Sequence, residues 1–156
     1  MSDCDRDPLR STIVKVSHAA AHRTTGPIRV LVVDDHAVCR EGLVQLLDAA
    51  ADVEVIATGA HGAAAVELSA AYLPDVALID LSMPGMDGIE ATRRITGAPV
   101  VVMTAFCDRA RIAQALEAGA VGVILKDAGS EELLAAVRAA AGERRAPSRP
   151  PAVATA

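Results

Sequence analysis

The chain has 156 residues, of which 52% are hydrophobic and 22% charged, and a formal net charge of −5. That length suits one domain with some tail to spare, and the apolar content is enough to bury a core. The acidic balance argues against a general nucleic-acid surface, which would normally be basic, though not against a local basic patch. Aromatic residues are limited to Tyr72 and Phe106. The core must therefore be built from Val, Ile, Leu, Met and Ala, and stacking platforms for single-stranded nucleic acid cannot readily be made. Cys4, Cys39 and Cys107 show no metal-ligand spacing and read as three free thiols of a reducing compartment. Residues 1–27 are broken by Asp3, Asp5, Arg6, Asp7, Lys15 and Arg23 and lack the apolar core of a signal peptide. With no apolar run long enough to span a bilayer, the expectation is a cytoplasmic protein without a membrane partner.

Residues 1–27 are polar, carry no clear period and read as a poorly structured extension, in which Ser11–Ala21 is the one stretch that could form a short helix. From Ile28 a regular alternation begins. Ile28–Val33 reads as a buried strand, and Val38, Gly42, Leu43, Leu46 and Leu47 then recur at helical spacing. Val53–Ala57 is a second strand, and the Ala-rich Gly62–Ala71 a second helix. Asp75–Ile79 is a third strand, entered from Pro74, followed by a helix over Gly88–Ile95. Pro99–Met103 is a fourth strand, with a helix over Asp108–Ala118 that ends at Gly119. Val121–Leu125 is a fifth strand. Ser130 caps a last helix, whose first-turn Glu131 and Glu132 suit the positive helix end. That helix is expected to run to about Ala141, with residues 143–156, rich in Pro, Ala and Arg, as a disordered tail. Near-continuous apolar strands alternating with amphipathic helices predict an α/β fold, a doubly wound five-stranded parallel sheet of the flavodoxin-like (βα)5 type, over residues 28–142.

In such a sheet, ligands bind beyond the carboxyl ends of the strands. Asp34 and Asp35 follow the first predicted strand, Asp80 the third, Thr104 the fourth and Lys126 the fifth. One Asp at a strand-to-helix junction is usually a helix cap, and Thr104 or Lys126 alone would be a turn residue or a solvated charge. The five together, at one edge of one sheet, point to chemistry. Carboxylates brought together repel one another, and a hard divalent cation such as Mg²⁺ relieves this. A metal, an ammonium, a hydroxyl and a carboxylate nucleophile are what phosphoryl transfer to an aspartate needs.

The segments Leu31–His36, Asp80–Gly88, Met103-Thr104-Ala105 and Leu125-Lys126-Asp127 resemble the receiver domains of two-component response regulators, in wording closest to the NarL/FixJ (LuxR-class) type. The resemblance covers about residues 28–142. It implies that Asp80 accepts a phosphoryl group from a sensor histidine kinase. Asp35 and Asp80 would ligate Mg²⁺, with Asp34 close by, directly or through water, and the Ser82 backbone carbonyl would supply another oxygen. Thr104 would move to bind the phosphoryl oxygen and Lys126 would pair with it, while Pro84, Gly85 and Gly88 shape the loop over the site. No turnover of an external substrate is implied, only self-phosphorylation and slow hydrolysis. Phosphorylation would change the surface formed by the fourth and fifth predicted helices and the strand between them, altering a downstream protein partner or forming a homodimer.

Two departures from that pattern stand out. Receivers usually carry Tyr or Phe three residues before the lysine, and here that residue is Val123. The aromatic readout is expected to be missing or altered, with Thr104 movement read instead through Ala105, Phe106 and the start of the following helix. Phe106 would otherwise be a partly buried loop residue. Secondly, regulators of this type continue into a helix-turn-helix domain, and residues 143–156 are too few for a three-helix reader. The basic cluster Arg144, Arg145 and Arg149 reads as a solvated tail, so no direct nucleic-acid contact is expected. The chain is either a stand-alone receiver or one parted from its output domain. Competing readings are a phosphorylation-independent interaction module, a truncated DNA-binding regulator, and a hydrolase working through an aspartyl-phosphate. The last would need an acid where Ser82 stands. The Lys126–Asp127 peptide is often cis, before Pro, in such domains; before Asp127 a cis bond would cost about 3–4 kcal/mol. His36 is expected to begin a helix or tune the site, since imidazole suits softer metals than Mg²⁺. His61 reads as a solvated loop residue and Cys39 as packed.

Overall fold

A computed structural model describes residues 26–145. The elements run β1 (Ile28–Val33), α1 (Ala37–Asp48), β2 (Val53–Gly59), α2 (Gly62–Tyr72), β3 (Val76–Asp80), α3 (Gly88–Arg94), β4 (Val100–Thr104), α4 (Arg109–Glu117), β5 (Gly122–Leu125) and α5 (Ser130–Arg145). All strand pairs are parallel, in the order β2-β1-β3-β4-β5. The doubly wound architecture expected from the sequence is the one observed. The Ser11–Ala21 helix, most of the N-terminal extension and the tail beyond Arg145 lie outside the described residues.

The central strands are mostly apolar because both sheet faces are covered there, and their residues divide between the faces with period two. Val30, Val32, Leu78, Val101, Met103 and Ile124 pack on one face with Leu47 of α1 and Leu133 and Val137 of α5. Their neighbours Leu31, Val33, Ile79, Val102 and Val123 pack on the other with Ala65 of α2, Ile89 of α3, and Ile112 and Ala115 of α4. A bidentate pair from Arg138 to Asp52, at 2.7 and 2.9 Å, ties α5 across to the turn before β2.

This topology positions the site. The chain steps outward from β1 to β2 and then returns past β1 to β3, so the helices change face between β1 and β3 and a crevice opens at the carboxyl edge. Val33 pairs with Ile79, which sets Asp34 level with Asp80.

One boundary differs from the sequence reading. Helix α5 continues to Arg145, past both the expected end at Ala141 and the domain limit at Gly142. A single interior Gly costs a helix only about 1 kcal/mol, and Glu and Arg are good helix formers, so Gly142 does not stop it. Among the described residues there is no cis peptide bond, and Lys126–Asp127 is trans.

Gly88 begins α3 against the end of β3. A Cβ there would overlap the Asp80 carbonyl oxygen and stand 2.8 Å from Leu81 Cα. Both are backbone atoms, so the β3–α3 loop would have to move. Gly88→Ala is expected to destabilise the fold by about 1–3 kcal/mol, measured by urea unfolding at equilibrium. An unchanged midpoint would mean that the loop relaxes freely and is not set by this contact.

Candidate functional site

Asp34 lies just past β1 and is fully buried. Its Oδ1 accepts from the His36 backbone N–H at 2.9 Å, a local turn that turns the chain into α1. Its Oδ2 accepts from Lys126 Nζ at 2.9 Å. Asp80, the last residue of β3, is 2% exposed. Its Oδ1 accepts from the Ser82 N–H at 3.2 Å and its Oδ2 from Lys126 Nζ at 3.1 Å. One ammonium, reaching in from the end of β5, is therefore shared by two buried carboxylates. The Lys126 backbone N–H donates to the Thr104 carbonyl at 2.8 Å, which fixes the root of that side chain.

These charges are unequally compensated. Burial lifts the Asp80 pKa above the ordinary carboxyl value of 3.8; Lys126 and the Ser82 N–H pull it down, the nearby Asp34 adds to the rise, and the net direction is upward. For Lys126 burial acts to lower the pKa, but the hydrogen bonds and attraction of Asp34 and Asp80 outweigh it, and its ammonium is held above the ordinary 10.5. The two shifts differ in origin: burial dominates at Asp80, whereas at Lys126 the two carboxylates that share it outweigh burial.

The donor set fits a hard divalent cation. Asp34, Asp35, His36 and Asp80 each offer a ligand atom, all within 4.8 Å of one another. Asp35 Oδ1 is buried and accepts no hydrogen bond, although His36 Nδ1 lies 3.0 Å away. A buried carboxylate oxygen without a donor is costly in a folded protein, and a cation coordinated there would satisfy it. His36 is the N-cap of α1 and makes no side-chain cap bond. Its ring remains exposed.

Thr104 is buried at the end of β4 and turns its hydroxyl into its own loop. Oγ1 donates to the Phe106 carbonyl at 2.9 Å and accepts from the Phe106 N–H at 3.3 Å. The link between Thr104 and Phe106 thus runs through backbone. The Phe106 ring is 78% exposed, not partly buried, because the apolar space beneath α4 is already filled. Val123 helps fill it, buried with Ile112 and Ala115, and carries neither a ring nor a hydroxyl. Ala105 is exposed.

The cysteine expectations need correcting. Cys107, on the exposed loop before α4, is disulfide-bonded, so the chain does not carry three free thiols. Cys39 is a free thiol but exposed, not packed; it lines a cleft of about 220 Å³ between α1 and α5 that opens beside Lys126. His61 is exposed as expected and also caps α2, its Nδ1 accepting from the Ala64 N–H at 3.1 Å.

Three residues the sequence did not single out buttress the site. Arg40 of α1 donates to the Asp34 carbonyl at 2.7 Å. Asp87 caps α3 by accepting from the Glu90 N–H at 2.9 Å, a role that its spacing three residues before Glu90 could have suggested. Arg111 of α4 donates to the Leu81 carbonyl at 3.2 Å and pairs with Asp87 at 3.4 Å. Nothing in the local pattern foretells that contact, which spans thirty residues.

The raised Asp80 pKa has a stability consequence of definite sign. The folded state holds this proton more tightly than the unfolded chain does. The contribution of Asp80 to stability is therefore fully present below the ordinary carboxyl value and is lost as pH rises from about 3.8 through the folded pKa. Asp80→Asn removes the loss. Its melting temperature should exceed that of the native chain by a few degrees at neutral pH without divalent cation, and the gap should close toward acid pH. A variant less stable than the native chain at neutral pH would show that the Lys126 pairing outweighs the burial of Asp80.

Comparison with known proteins agrees with this geometry. Residues 30–138 match the response regulator receiver domain family. The chain is 42% identical over 127 residues to the transcriptional regulatory protein LiaR of Bacillus subtilis, covering 78% of this chain and 60% of LiaR. It is likewise 42% identical over 114 residues to NarL of Mycobacterium tuberculosis, covering 70% of this chain and 53% of that protein. The solved receiver domain of that NarL superposes with a TM-score of 0.72 at 41% identity, over 74% of this chain and 97% of the domain. A LuxR-family response regulator from Aurantimonas gives 0.72 at 34% identity, over 76% and 88%. The chain thus spans little more than half of these curated relatives, and the part it shares with them is the receiver. Residues 30–138 place the chain in the response regulator receiver domain family, of the NarL/LuxR class.

Proposed function

We propose that this chain is a phosphorylation-responsive switch in which Asp80 is the acceptor. The observation that carries this reading is the Asp80 carboxylate, buried at the carboxyl edge of the sheet and held by Lys126 on one oxygen and the Ser82 N–H on the other. The phosphoryl donor is a phosphohistidine on a sensor histidine kinase. Its P–N bond breaks, with the electron pair returning to the imidazole, as an Asp80 oxygen forms the new P–O bond. Bound Mg²⁺ would neutralise charge on the transferring group; Asp34, Asp35, Asp80 and the Ser82 backbone carbonyl are the residues to hold it. Lys126 keeps Asp80 in position before transfer and pairs with the phosphoryl oxygens afterwards. The Thr104 hydroxyl turns from the Phe106 carbonyl to a phosphoryl oxygen, drawing the loop before α4 with it. The chain turns over no external substrate, and its output is a changed surface around α4, β5 and α5 that recruits a downstream protein or a second copy. Its setting is cytoplasmic; among the described residues no helix is long and apolar enough to cross a membrane.

A second reading is favoured by one observation, the buried aliphatic Val123: a receiver-like module whose partner binding ignores phosphorylation. Intact-protein mass after incubation with acetyl phosphate separates the two. The switch predicts one added phosphoryl group in the native chain, none without Mg²⁺ and none in Asp80→Asn. Lys126→Met should slow uptake by about 10- to 1,000-fold, as for loss of one charge-stabilising donor. No adduct on the native chain with Mg²⁺ present would favour the phosphorylation-independent module.

A further inference from the structure

Arg111 stands where helix electrostatics alone would not put it. It is the third residue of α4, whose N-cap is Asp108, and a cation in the first turn opposes the helix dipole. Its backbone N–H is already satisfied by Asp108 Oδ1 at 3.2 Å. The side chain leaves the helix sideways, reaching the Leu81 carbonyl at 3.2 Å and Asp87 Oδ2 at 3.4 Å. Leu81 and Asp87 are the two ends of the loop that follows Asp80.

The Leu81 carbonyl belongs to the same peptide unit as the Ser82 N–H. That unit is planar, so holding its oxygen orients its N–H. The Ser82 N–H is the donor to Asp80 Oδ1. The Leu81 carbonyl also accepts from the Gly88 N–H at 3.0 Å, which leaves Arg111 as the contact that ties this peptide to α4. A continuous path therefore runs from the first turn of α4, through the guanidinium and one rigid peptide plane, to the acceptor carboxylate. It lies on the α4 side of the sheet, where Val123 provides no aromatic ring.

We propose that Arg111 is a positioning residue that couples α4 to Asp80 through the Leu81–Ser82 peptide. In the resting state it fixes the donor that orients the carboxylate. When the Thr104 loop shifts the start of α4, Arg111 transmits that movement to the peptide plane, and phosphorylation of Asp80 is felt by α4 along the same path. The second half of this statement rests on the phosphoryl-switch reading above; the first half does not.

The test uses the full chain and Arg111→Met, which keeps the aliphatic stem and removes the guanidinium, with Arg111→Lys as the conservative variant. In the resting protein without phosphoryl donor, the Ser82 amide should exchange with solvent about 3- to 10-fold faster in Arg111→Met, the factor expected for losing one hydrogen bond. Arg111→Lys should recover part of it, at unchanged melting temperature. With beryllofluoride and Mg²⁺, native α4 amides near Asp108 should shift in the NMR spectrum, and those shifts should shrink in Arg111→Met while the site amides still respond. Ser82 exchange identical to native in Arg111→Met overturns the positioning role, whatever the phosphorylation result. Undiminished α4 shifts in the variant overturn the coupling. A native chain that binds no beryllofluoride overturns the switch and the coupling that depends on it, while the resting exchange still decides the positioning role.

Discussion

Two carboxylates buried side by side, Asp34 and Asp80, share one ammonium, Lys126 Nζ, at 2.9 and 3.1 Å. Removing Lys126 would leave two buried carboxylates uncompensated at a cost of several kcal/mol, whereas the cluster itself contributes little net stability. The arrangement is therefore poor as a means of holding the fold together. It is well suited to a site that must change its charge. Three strands separated in sequence supply the three residues, and the order β2-β1-β3-β4-β5 brings their ends to one edge. Asp35, with a buried oxygen lacking a donor, leaves that edge short of positive charge, which a divalent cation would supply.

Most of this geometry was legible before any coordinates, because it depends on two strong regularities. Apolar strands such as Ile28–Val33 and the one expected over Asp75–Ile79 are long enough and uninterrupted enough to declare a covered parallel sheet, and residues just past strand ends must then meet. Asp34, Asp80, Thr104 and Lys126 were found by that rule alone. What escaped was set by side-chain reach across the fold. Arg111 looks like an ordinary surface cation of α4, and only the packing of α4 against the loop after β3 gives it the Leu81 carbonyl. The exposure of Phe106 was missed because it depends on how fully Val123, Ile112 and Ala115 fill the space beneath the helix. The overrun of α5 to Arg145 was missed because the segment after Ala141, rich in Pro, Ala and Arg, reads as a tail, although one interior Gly is only a modest penalty to a helix.

The absence of an aromatic residue at Val123 changes how a signal could leave the site. A valine buried at 3% exposure has no swinging ring with which to report a movement of Thr104. What remains between Thr104 and α4 is backbone: the Phe106 peptide held by the Thr104 hydroxyl, then the Asp108 cap. Such a switch would be an equilibrium between two placements of α4, biased by charge at Asp80.

The most direct measurement is ¹⁹F NMR of the chain with beryllofluoride, which mimics a phosphoryl group on a carboxylate. The account predicts a bound fluoride signal, one equivalent per chain, that requires Mg²⁺, vanishes in Asp80→Asn and weakens markedly in Lys126→Met. A bound signal that persists in Asp80→Asn or without Mg²⁺ would contradict it, because the shared ammonium and the acidic edge would then not be the site where the phosphoryl group is held.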